Sequence, residues 1–430
     1  MRIDKIKIKN FKGFEDVKFT LNPHFTVFIG DNAKGKTTVL DALAIGMGSF
    51  FRGIDVAQKE IKTIRKNDIR IETFNNDPKP QLPSTITAIG SVLGINDLTW
   101  FRTVERFTPK LTSIGANNVQ QIAEAALSRS RAGEKVIFPL LSYYRTGRLF
   151  ISDESIKVPY EKKGEGVAMG YNQCLTAKSS GTNFLSWYKT YEDEVLKFKN
   201  ESDMILLTAF KNAIVSMIPD KEWTQMAYSF KDDDLVGLFS TTKGNFNKLL
   251  FGQLSDGYRN IIGLAADIAF RCIKLNPHLG IDAILKSPGI VLIDEIDLHL
   301  HPNWQKRIVE DFKNTFPSIQ FIVSTHSPFI VQSLKDEELV NLDKKGGLDE
   351  DPNKYSIEEI SEKEMLVKHV ERSRTFLEMQ NQAKNFFKLI KDKSNPHNIQ
   401  EAKSKLDYLR MIYNHDPAYV ALLEAELPPE

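Results

Sequence analysis

The stretch "GDNAKGKTT", residues 30–38, decides the fold of this 430-residue chain. It matches the pattern G-x-x-x-x-G-K-[ST], which forms a phosphate-binding loop where a strand runs into a helix. The apolar "HFTVFI" before it predicts a strand, and the spacing of Val39, Leu40 and Leu43 after it predicts a helix. In such a loop the backbone N–H groups face phosphate oxygens. The alternative is an ordinary glycine turn, which this strand and helix context disfavours.

A second informative stretch is "GIVLIDEIDLHLHP", residues 289–302. Its apolar half predicts a strand that ends in Asp294 and Glu295. One carboxylate at such a strand end can enter the shell of a Mg²⁺ ion, and the next can polarise or deprotonate an attacking water. His299 and His301 have the spacing of a zinc pair. The sequence offers no further His or Cys cluster, which favours a structural or dimer-contact role for them.

The stretch "IVSTHSP" predicts another buried strand, followed by His326. This histidine is a candidate γ-phosphate sensor if its strand end lies on the same sheet edge as Glu295. The alternative is a structural histidine, and only the position after the acidic strand favours the sensor.

The stretch "FGQLSDGYRN", residues 251–260, predicts a Ser-Asp-Gly turn that leads into a helix. The Ser255 hydroxyl and the N–H groups near Gly257 can bind a phosphate there, and Asp256 is expected to cap the helix. Alone, such a turn has little predictive value.

The order of these four elements resembles that of ABC-type ATPases of the RecF/SMC/OLD lineage. The opening "IKIKNFKGFEDVKF" also resembles the first strands of that lineage. The resemblance implies an α/β fold, an ABC-type P-loop ATPase head that has a mixed sheet, an antiparallel β layer and a helical subdomain. A mostly helical C-terminal tail follows this head.

The resemblance implies ATP and Mg²⁺ as ligands and assigns a role to each motif. Glu295 and His326 are the predicted catalytic residues, and Thr37 and Asp294 are the predicted metal ligands. The predicted ATP-binding residues of the Walker A loop and the signature are Gly30, Asp31, Asn32, Ala33, Lys34, Gly35, Lys36, Thr37, Thr38, Leu254, Ser255, Asp256 and Gly257. The D-loop of the lineage corresponds to residues 297–301.

One element of the lineage has no counterpart in this sequence. ABC-type ATPases carry a glutamine after a strand that follows Walker A. The stretch after "FPLLSYY" is the best positional candidate, and it offers Arg145 and Arg148 but no glutamine. Either another group fills that role, or the glutamine lies elsewhere.

Four segments are predicted along the chain. Residues 1–150 form the N-terminal half of the head, residues 151–250 a helical and loop insertion, and residues 251–335 the C-terminal half. Residues 336–430 form a helical region that is too short for the Toprim nuclease of OLD proteins. Its apolar helix positions fit either a hairpin packed on the ATPase or a partner-docking site.

One Walker A and one signature in the chain predict a homodimer that is closed by two-fold symmetry around two ATP molecules. "EIDLHLHP", continued by Trp304 and Gln305, resembles PtuA-type ATPases of Septu anti-phage defence, which also occur with retrons. That resemblance implies a separate HNH endonuclease partner, and further candidate partners are a reverse transcriptase and its RNA-linked DNA. The alternatives are a RecF-like repair ATPase that acts on DNA, and a nucleotide-binding scaffold without turnover, against which Glu295 argues.

Composition limits the remaining possibilities. The formal net charge of +1 gives no global field for nucleic acid, although two local clusters leave DNA contact open. These clusters comprise Lys5, Lys7, Lys9, Lys12, Lys59, Lys62, Arg65 and Lys66. The two cysteines exclude a disulfide framework. With no signal-like start and no apolar run of spanning length, the sequence predicts a cytoplasmic protein without membrane association.

Overall fold

The computed structural model describes most of the chain and divides into two compact units, residues 1–360 and 361–430. The described residues are 1–108, 114–148, 166–175, 181–218, 223–240, 246–343, 348–368, 373–391, 397–413 and 417–425. Residues 151–165, at the start of the predicted insertion, lie outside them. The division into four segments therefore stays a prediction.

The secondary structure alternates strands and helices along the first unit and is helical in the second. The strands are β1 (Arg2–Phe11), β2 (Phe14–Thr20), β3 (Phe25–Ile29), β4 (Ile71–Phe74), β5 (Asp77–Pro80), β6 (Ser84–Val92), β7 (Ile95–Val104), β8 (Leu140–Tyr144), β9 (Trp223–Ser229), β10 (Asp234–Ser240), β11 (Phe246–Leu250), β12 (Gly289–Ile293), β13 (Ile319–Ser324) and β14 (Leu339–Asn341). The α-helices are α1 (Lys36–Gly48), α2 (Asn117–Arg131), α3 (Gly166–Tyr171), α4 (Gly181–Phe198), α5 (Glu201–Ser216), α6 (Asp256–Leu275), α7 (Ala283–Lys286), α8 (Pro302–Gln305), α9 (Ile308–Thr315), α10 (Pro328–Val331), α11 (Ile357–Lys363), α12 (Arg374–Lys391), α13 (His397–Ile412) and α14 (Pro417–Ala425).

A parallel sheet forms the centre of the first unit. Its strand order is β14-β3-β13-β12-β8, and every pairing in it is parallel. Strands β3, β8, β12 and β13 are buried along their whole length, which is why they are continuous apolar runs in the sequence. Because the carboxyl ends of parallel strands meet at one edge, the segments that follow these strands come together there.

Antiparallel strands form the predicted β layer. The larger sheet, of order β2-β1-β6-β7, corresponds to that layer. A smaller antiparallel sheet, of order β11-β10-β9, lies within residues 151–250, which were predicted as a helical and loop insertion, so that prediction missed these strands. In β1, Ile6 and Ile8 are fully buried while Lys5, Lys7 and Lys9 are exposed, as the two-residue period of a strand requires. Ile3 is also fully buried, three residues before Ile6, because the register of β1 against β6 shifts between Ile3 and Lys5. The predicted fold class is confirmed, with parallel and antiparallel strands in separate sheets.

Strand β14 extends the parallel sheet beyond the predicted head. Leu339 pairs with Val27 and Asn341 pairs with Ile29, so β14 lies beside β3, the strand that leads into the Walker A loop. The chain that leaves β14 therefore reaches the same sheet edge as that loop.

The second unit has a hydrophobic core of its own. Apolar helix positions that suggested a hairpin or a docking site contribute to this core, in which Phe386 and Leu409 are fully buried. Its buried members are Ala383, Phe386, Ala402, Leu406, Leu409, Tyr413 and Leu423. Partner docking by this unit stays a prediction.

None of the helices in the described part of the chain is both long and apolar enough to cross a membrane.

Candidate functional site

The Walker A loop connects the end of β3 to the start of α1. Gly30, Ala33 and Gly35 have φ angles of 146°, 67° and 99°, which turn the loop sharply in front of the helix. A Cβ atom at Gly35 would lie 2.6 Å from the ring of Phe14. Glycine is therefore required at this position by both its backbone angle and the close packing.

Lys36 is held inside the loop. Its side chain is buried, and its Nζ donates to the carbonyl oxygens of Gly30, at 2.6 Å, and Asp31, at 3.1 Å. Burial lowers the pKa of Lys36, and the carboxylates of Asp343 and Asp294 oppose that shift. A cation in this position is placed to bind the β- and γ-phosphates of a nucleotide.

Three elements of the sheet edge converge on Asp294. Its Oδ2 accepts a hydrogen bond of 2.9 Å from the Thr37 hydroxyl of α1, and its Oδ1 accepts one of 2.6 Å from the Ser324 hydroxyl of β13. The two predicted metal ligands are thus neighbours. Ser324 was not among the predicted site residues, although a hydroxyl at the end of the strand before His326 is a signal that could have identified it.

The donor set fits Mg²⁺, which proteins commonly bind through one or two carboxylates while phosphates and waters supply the rest. One hydroxyl and one carboxylate, from Thr37 and Asp294, meet that requirement. Within the described residues there is no group of three or more His, Cys, Asp or Glu that could hold a metal. A zinc role for His299 and His301 therefore gains no support from the described part of the chain.

A cleft of about 210 Å³ joins the predicted catalytic residues to the loop. Its lining consists of Asn32, Ala33, Gly35, Lys36, Thr37, Thr38, Asp294, Glu295 and His326. Glu295 is partly buried, whereas His326 is exposed. The described lining does not include the signature, residues 254–257, so this chain alone does not bring the two halves of the predicted ATP site together.

Asp343 holds the Walker A loop at Asp31 and Lys34. Its carboxylate accepts a hydrogen bond of 2.7 Å from the Asp31 N–H and forms a 3.1 Å ion pair with Lys34. The chain after β14 delivers this residue. Two predicted ATP-binding residues are therefore bound to a carboxylate that belongs to no recognised motif.

The signature lies at the start of helix α6. Ser255 is its N-cap, and the exposed side chain of Ser255 makes no capping hydrogen bond. The expectation that Asp256 caps the helix is wrong, because Asp256 is the first helical residue and pairs with Arg259. Its carboxylate still lies in the first turn, where the helix dipole favours negative charge.

Gly257 and Tyr258 pack the signature against the segment around the D-loop. A Cβ atom at Gly257 would lie 2.6 Å from the carbonyl oxygen of His299. The Tyr258 ring stacks on Trp223, with centroids 5.7 Å apart, and meets the edge of Trp304 at 4.5 Å. Tyr258, which replaces the glutamine or glutamate of the signature pattern, thus fills an aromatic contact inside the protein.

The two arginines after β8 point in different directions. Arg145 forms an ion pair with Asp41 of α1. Arg148 is fully buried and donates hydrogen bonds to the backbone carbonyls of Asp294 and Glu295. Arg148 therefore contacts the acidic strand end through its backbone.

Comparison with known proteins assigns the family. The AAA domain family model matches residues 5–222, more than half of the chain. The chain belongs to the AAA domain family. A second AAA domain model, whose description names the AbiEii toxin of a type IV TA system, matches residues 184–332 of this AAA domain protein.

Two relatives carry the predicted resemblance. The Retron Vc95 probable ATPase of Vibrio cholerae is 27% identical over 385 residues. The match covers 79% of this chain and 73% of the relative. The Septu protein PtuA of Bacillus mycoides is 28% identical over 348 residues, which cover 79% of this chain and 40% of the relative. The resemblance to PtuA-type and retron ATPases is confirmed.

Among solved structures, an SmcHead bound to the C-winged helix domain of ScpA is similar, with a TM-score of 0.48 and 17% identity. The comparison covers 79% of this chain and 94% of that one. Family membership and the related ATPases identify this AAA domain protein as an ATPase, as predicted.

Proposed function

We propose that this ATPase closes as a homodimer around two ATP molecules and thereby gates a nuclease partner in bacterial anti-phage defence. The proposed dimer is supported by one observation: the residues predicted to bind ATP lie in two separate places in the chain's structure. Walker A, Asp294, Glu295 and His326 surround the cleft, whereas Ser255 is exposed at the start of α6 with its hydroxyl uncommitted to capping. A second copy related by a two-fold axis completes each cleft with its own signature.

In this proposal each residue around the cleft has a distinct task. Lys36 binds the β- and γ-phosphates, and the Thr37 hydroxyl and Asp294 carboxylate hold Mg²⁺, which when bound offsets the negative charge of the phosphates. Glu295 accepts the proton of the attacking water, and His326 donates a hydrogen bond to the γ-phosphate. The Ser255 hydroxyl and the first N–H groups of α6 bind the γ-phosphate from the partner copy.

The defence role is supported by the relatives. The Vibrio protein is named as a retron ATPase and the Bacillus protein as a Septu protein. We therefore propose an HNH endonuclease as the partner whose activity the ATP-bound dimer controls. A reverse transcriptase and its RNA-linked DNA are further proposed partners. The alternative function is that of a RecF-like repair ATPase, which would bind DNA directly.

The proposal is tested by recovering the native complex from its host and identifying its components by mass spectrometry. We expect an HNH nuclease subunit in the complex, together with loss of phage protection in cells that carry Lys36→Ala or Glu295→Gln. Gly252→Ala is the matched control and is expected to protect as well as the unsubstituted protein, because a Cβ there is no closer than 3.5 Å to another atom. Recovery of the ATPase alone, with tight ATP-dependent DNA binding, would favour the RecF-like function instead.

A further inference from the structure

Arg148 is an unusual residue for the interior of a protein. Its side chain is fully buried, and arginine is almost never buried to that extent without a partner. It follows strand β8, which pairs in parallel with β12, the strand that ends in the acidic pair. The guanidinium therefore lies next to the acidic strand end, within hydrogen-bond distance of its backbone.

The described partners of this guanidinium are backbone and amide oxygens. Its Nη1 donates to the carbonyl of Asp294 at 2.5 Å, and its Nη2 donates to the carbonyl of Glu295 at 2.5 Å. A further bond of 3.2 Å runs to the carbonyl of Arg145. Burial lowers the pKa of Arg148 to about 10, against the opposing effect of nearby carboxylates, so the group stays charged at neutral pH.

These bonds fix the backbone on both sides of Glu295. Glu295 has a φ of 52°, a left-handed conformation that a residue with a side chain seldom adopts. Its N–H donates to the Ser324 hydroxyl at 2.8 Å, while Arg148 binds its carbonyl and the carbonyl before it. With these groups fixed, the direction in which the Glu295 carboxylate leaves the backbone is fixed as well.

The same guanidinium also reaches the signature helix. Its Nε donates to Oδ1 of Asn260 at 3.0 Å, and Asn260 lies in the first turns of α6. The amide nitrogen of Asn260 in turn donates to the carbonyl of Leu298 at 2.9 Å. One buried arginine and one asparagine thus connect β12, the D-loop and the helix that carries Ser255.

We propose that Arg148 is a positioning residue that holds Glu295 in the conformation needed to activate water and couples it to the signature helix. The inference rests on the proposed catalytic role of Glu295. The planar guanidinium binds two neighbouring carbonyls at once, a geometry that the single ammonium of a lysine cannot reproduce. Arg148 acts through Glu295 and not on the nucleotide. Its loss therefore slows ATP hydrolysis and leaves the affinity for nucleotide nearly unchanged.

The test compares Arg148→Ala and Arg148→Lys with Glu295→Gln in the full-length protein, measuring single-turnover ATP hydrolysis and nucleotide affinity separately. Both arginine variants are expected to hydrolyse ATP about 100-fold more slowly, since a misplacement on the order of 1 Å costs that much. Nucleotide affinity should change less than about threefold. Millimolar guanidinium should restore part of the Arg148→Ala rate but none of the Arg148→Lys rate.

Two controls separate positioning from stability. Arg102→Ala removes another buried arginine, on β7 and outside the cleft, and should leave the hydrolysis rate unchanged even if the protein melts earlier. The double variant Arg148→Ala/Glu295→Gln should hydrolyse ATP no more slowly than Glu295→Gln alone. The two effects do not add, because each change removes the action of the same group, the Glu295 carboxylate. Additive losses, or a parallel fall of binding and hydrolysis without rescue, would overturn the inference. Unimpaired turnover by Glu295→Gln would instead refute the catalytic role of Glu295.

Discussion

At the residue scale, Asp343 extends the phosphate loop beyond its motif. Its carboxylate accepts a hydrogen bond from the Asp31 N–H and forms an ion pair with Lys34. The loop is therefore held by a residue that follows β14, more than 300 positions later in the chain. A loop held in this way is already shaped before nucleotide arrives. Its ordering does not have to be supplied by the binding energy of ATP.

Replacing Asp343 by alanine should destabilise the first unit. The loss of a hydrogen bond to a charged acceptor is expected to lower the free energy of unfolding by about 1–3 kcal/mol, measured by urea denaturation at neutral pH. Asp343→Asn keeps an acceptor and should lose less than alanine does. Asp349→Ala, at an exposed aspartate nearby, is the control and should change stability little.

The contribution of Asp343 should also depend on pH. Burial raises the pKa of its carboxyl, but the Asp31 N–H and Lys34 outweigh this effect and leave the pKa below its ordinary value. Because the folded protein holds the proton less tightly than the unfolded chain, the stabilisation is complete at neutral pH. It is lost as the pH falls below about 4. A stability difference between wild type and Asp343→Ala that grew at acid pH would contradict this assignment.

Residue types at strand ends made much of the candidate site predictable. Lys36, Thr37, Asp294 and Glu295 each lie where a local pattern of strand, loop and helix predicts them. The contacts of Ser324, Asp343 and Arg148 with the site could not be derived in that way. Each depends on which strands are neighbours in the sheet, and a single sequence does not give that order.

At the element scale, the signature helix and the D-loop are packed as one body. The backbone of Gly257 approaches the carbonyl of His299, and Tyr258 joins Trp223 of β9 to Trp304 of α8. Aromatic pairs of this geometry contribute about 0.5–1.5 kcal/mol each beyond the area they bury. We therefore expect a movement of α6 to displace the segment that follows Glu295.

Gly257→Ala tests that contact. The new methyl group would lie 2.6 Å from a backbone oxygen, so α6 or the D-loop has to shift. Overpacking of this kind costs about 1–3 kcal/mol, and we expect ATP hydrolysis to fall at least about tenfold. Gly252→Ala, five residues earlier, adds a methyl group in ordinary contact and should leave both melting temperature and hydrolysis near wild type. Wild-type hydrolysis by Gly257→Ala would show that the helix and the D-loop move independently.

Long apolar strands were predictable elements, and short edge strands were not. Strands β3, β12 and β13 follow from continuous apolar runs. Strand β14 has three residues within a charged stretch and exists because β3 offers it a free edge. The aromatic contact of Tyr258 was likewise not predictable, because its partner Trp223 lies on a strand that only the folded structure brings near.

At the scale of the whole molecule, the second unit is expected to fold around its own core. Phe386→Ala is expected to lower the free energy of unfolding of this unit by about 3–5 kcal/mol. Residues 373–425 should then become sensitive to proteolysis, while ATP binding persists. The reason is that, among the described residues, none after residue 360 lines the cleft. Tyr408→Ala, at a side chain that is 53% exposed, should leave the digestion pattern unchanged. Loss of ATP binding in Phe386→Ala would show that the two units depend on each other.

The proposed ATP site requires that ATP join two copies of the chain, each of which completes the other's cleft. Light scattering after size-exclusion chromatography measures the mass of the assembly. We expect Glu295→Gln with ATP and Mg²⁺ to have twice the mass of the nucleotide-free protein. Lys36→Ala should not change its mass when ATP is added, and Ser255→Arg should abolish the doubling when added to Glu295→Gln. A Glu295→Gln protein whose mass is the same with and without ATP, or whose doubling survives Ser255→Arg, would refute the proposed dimer.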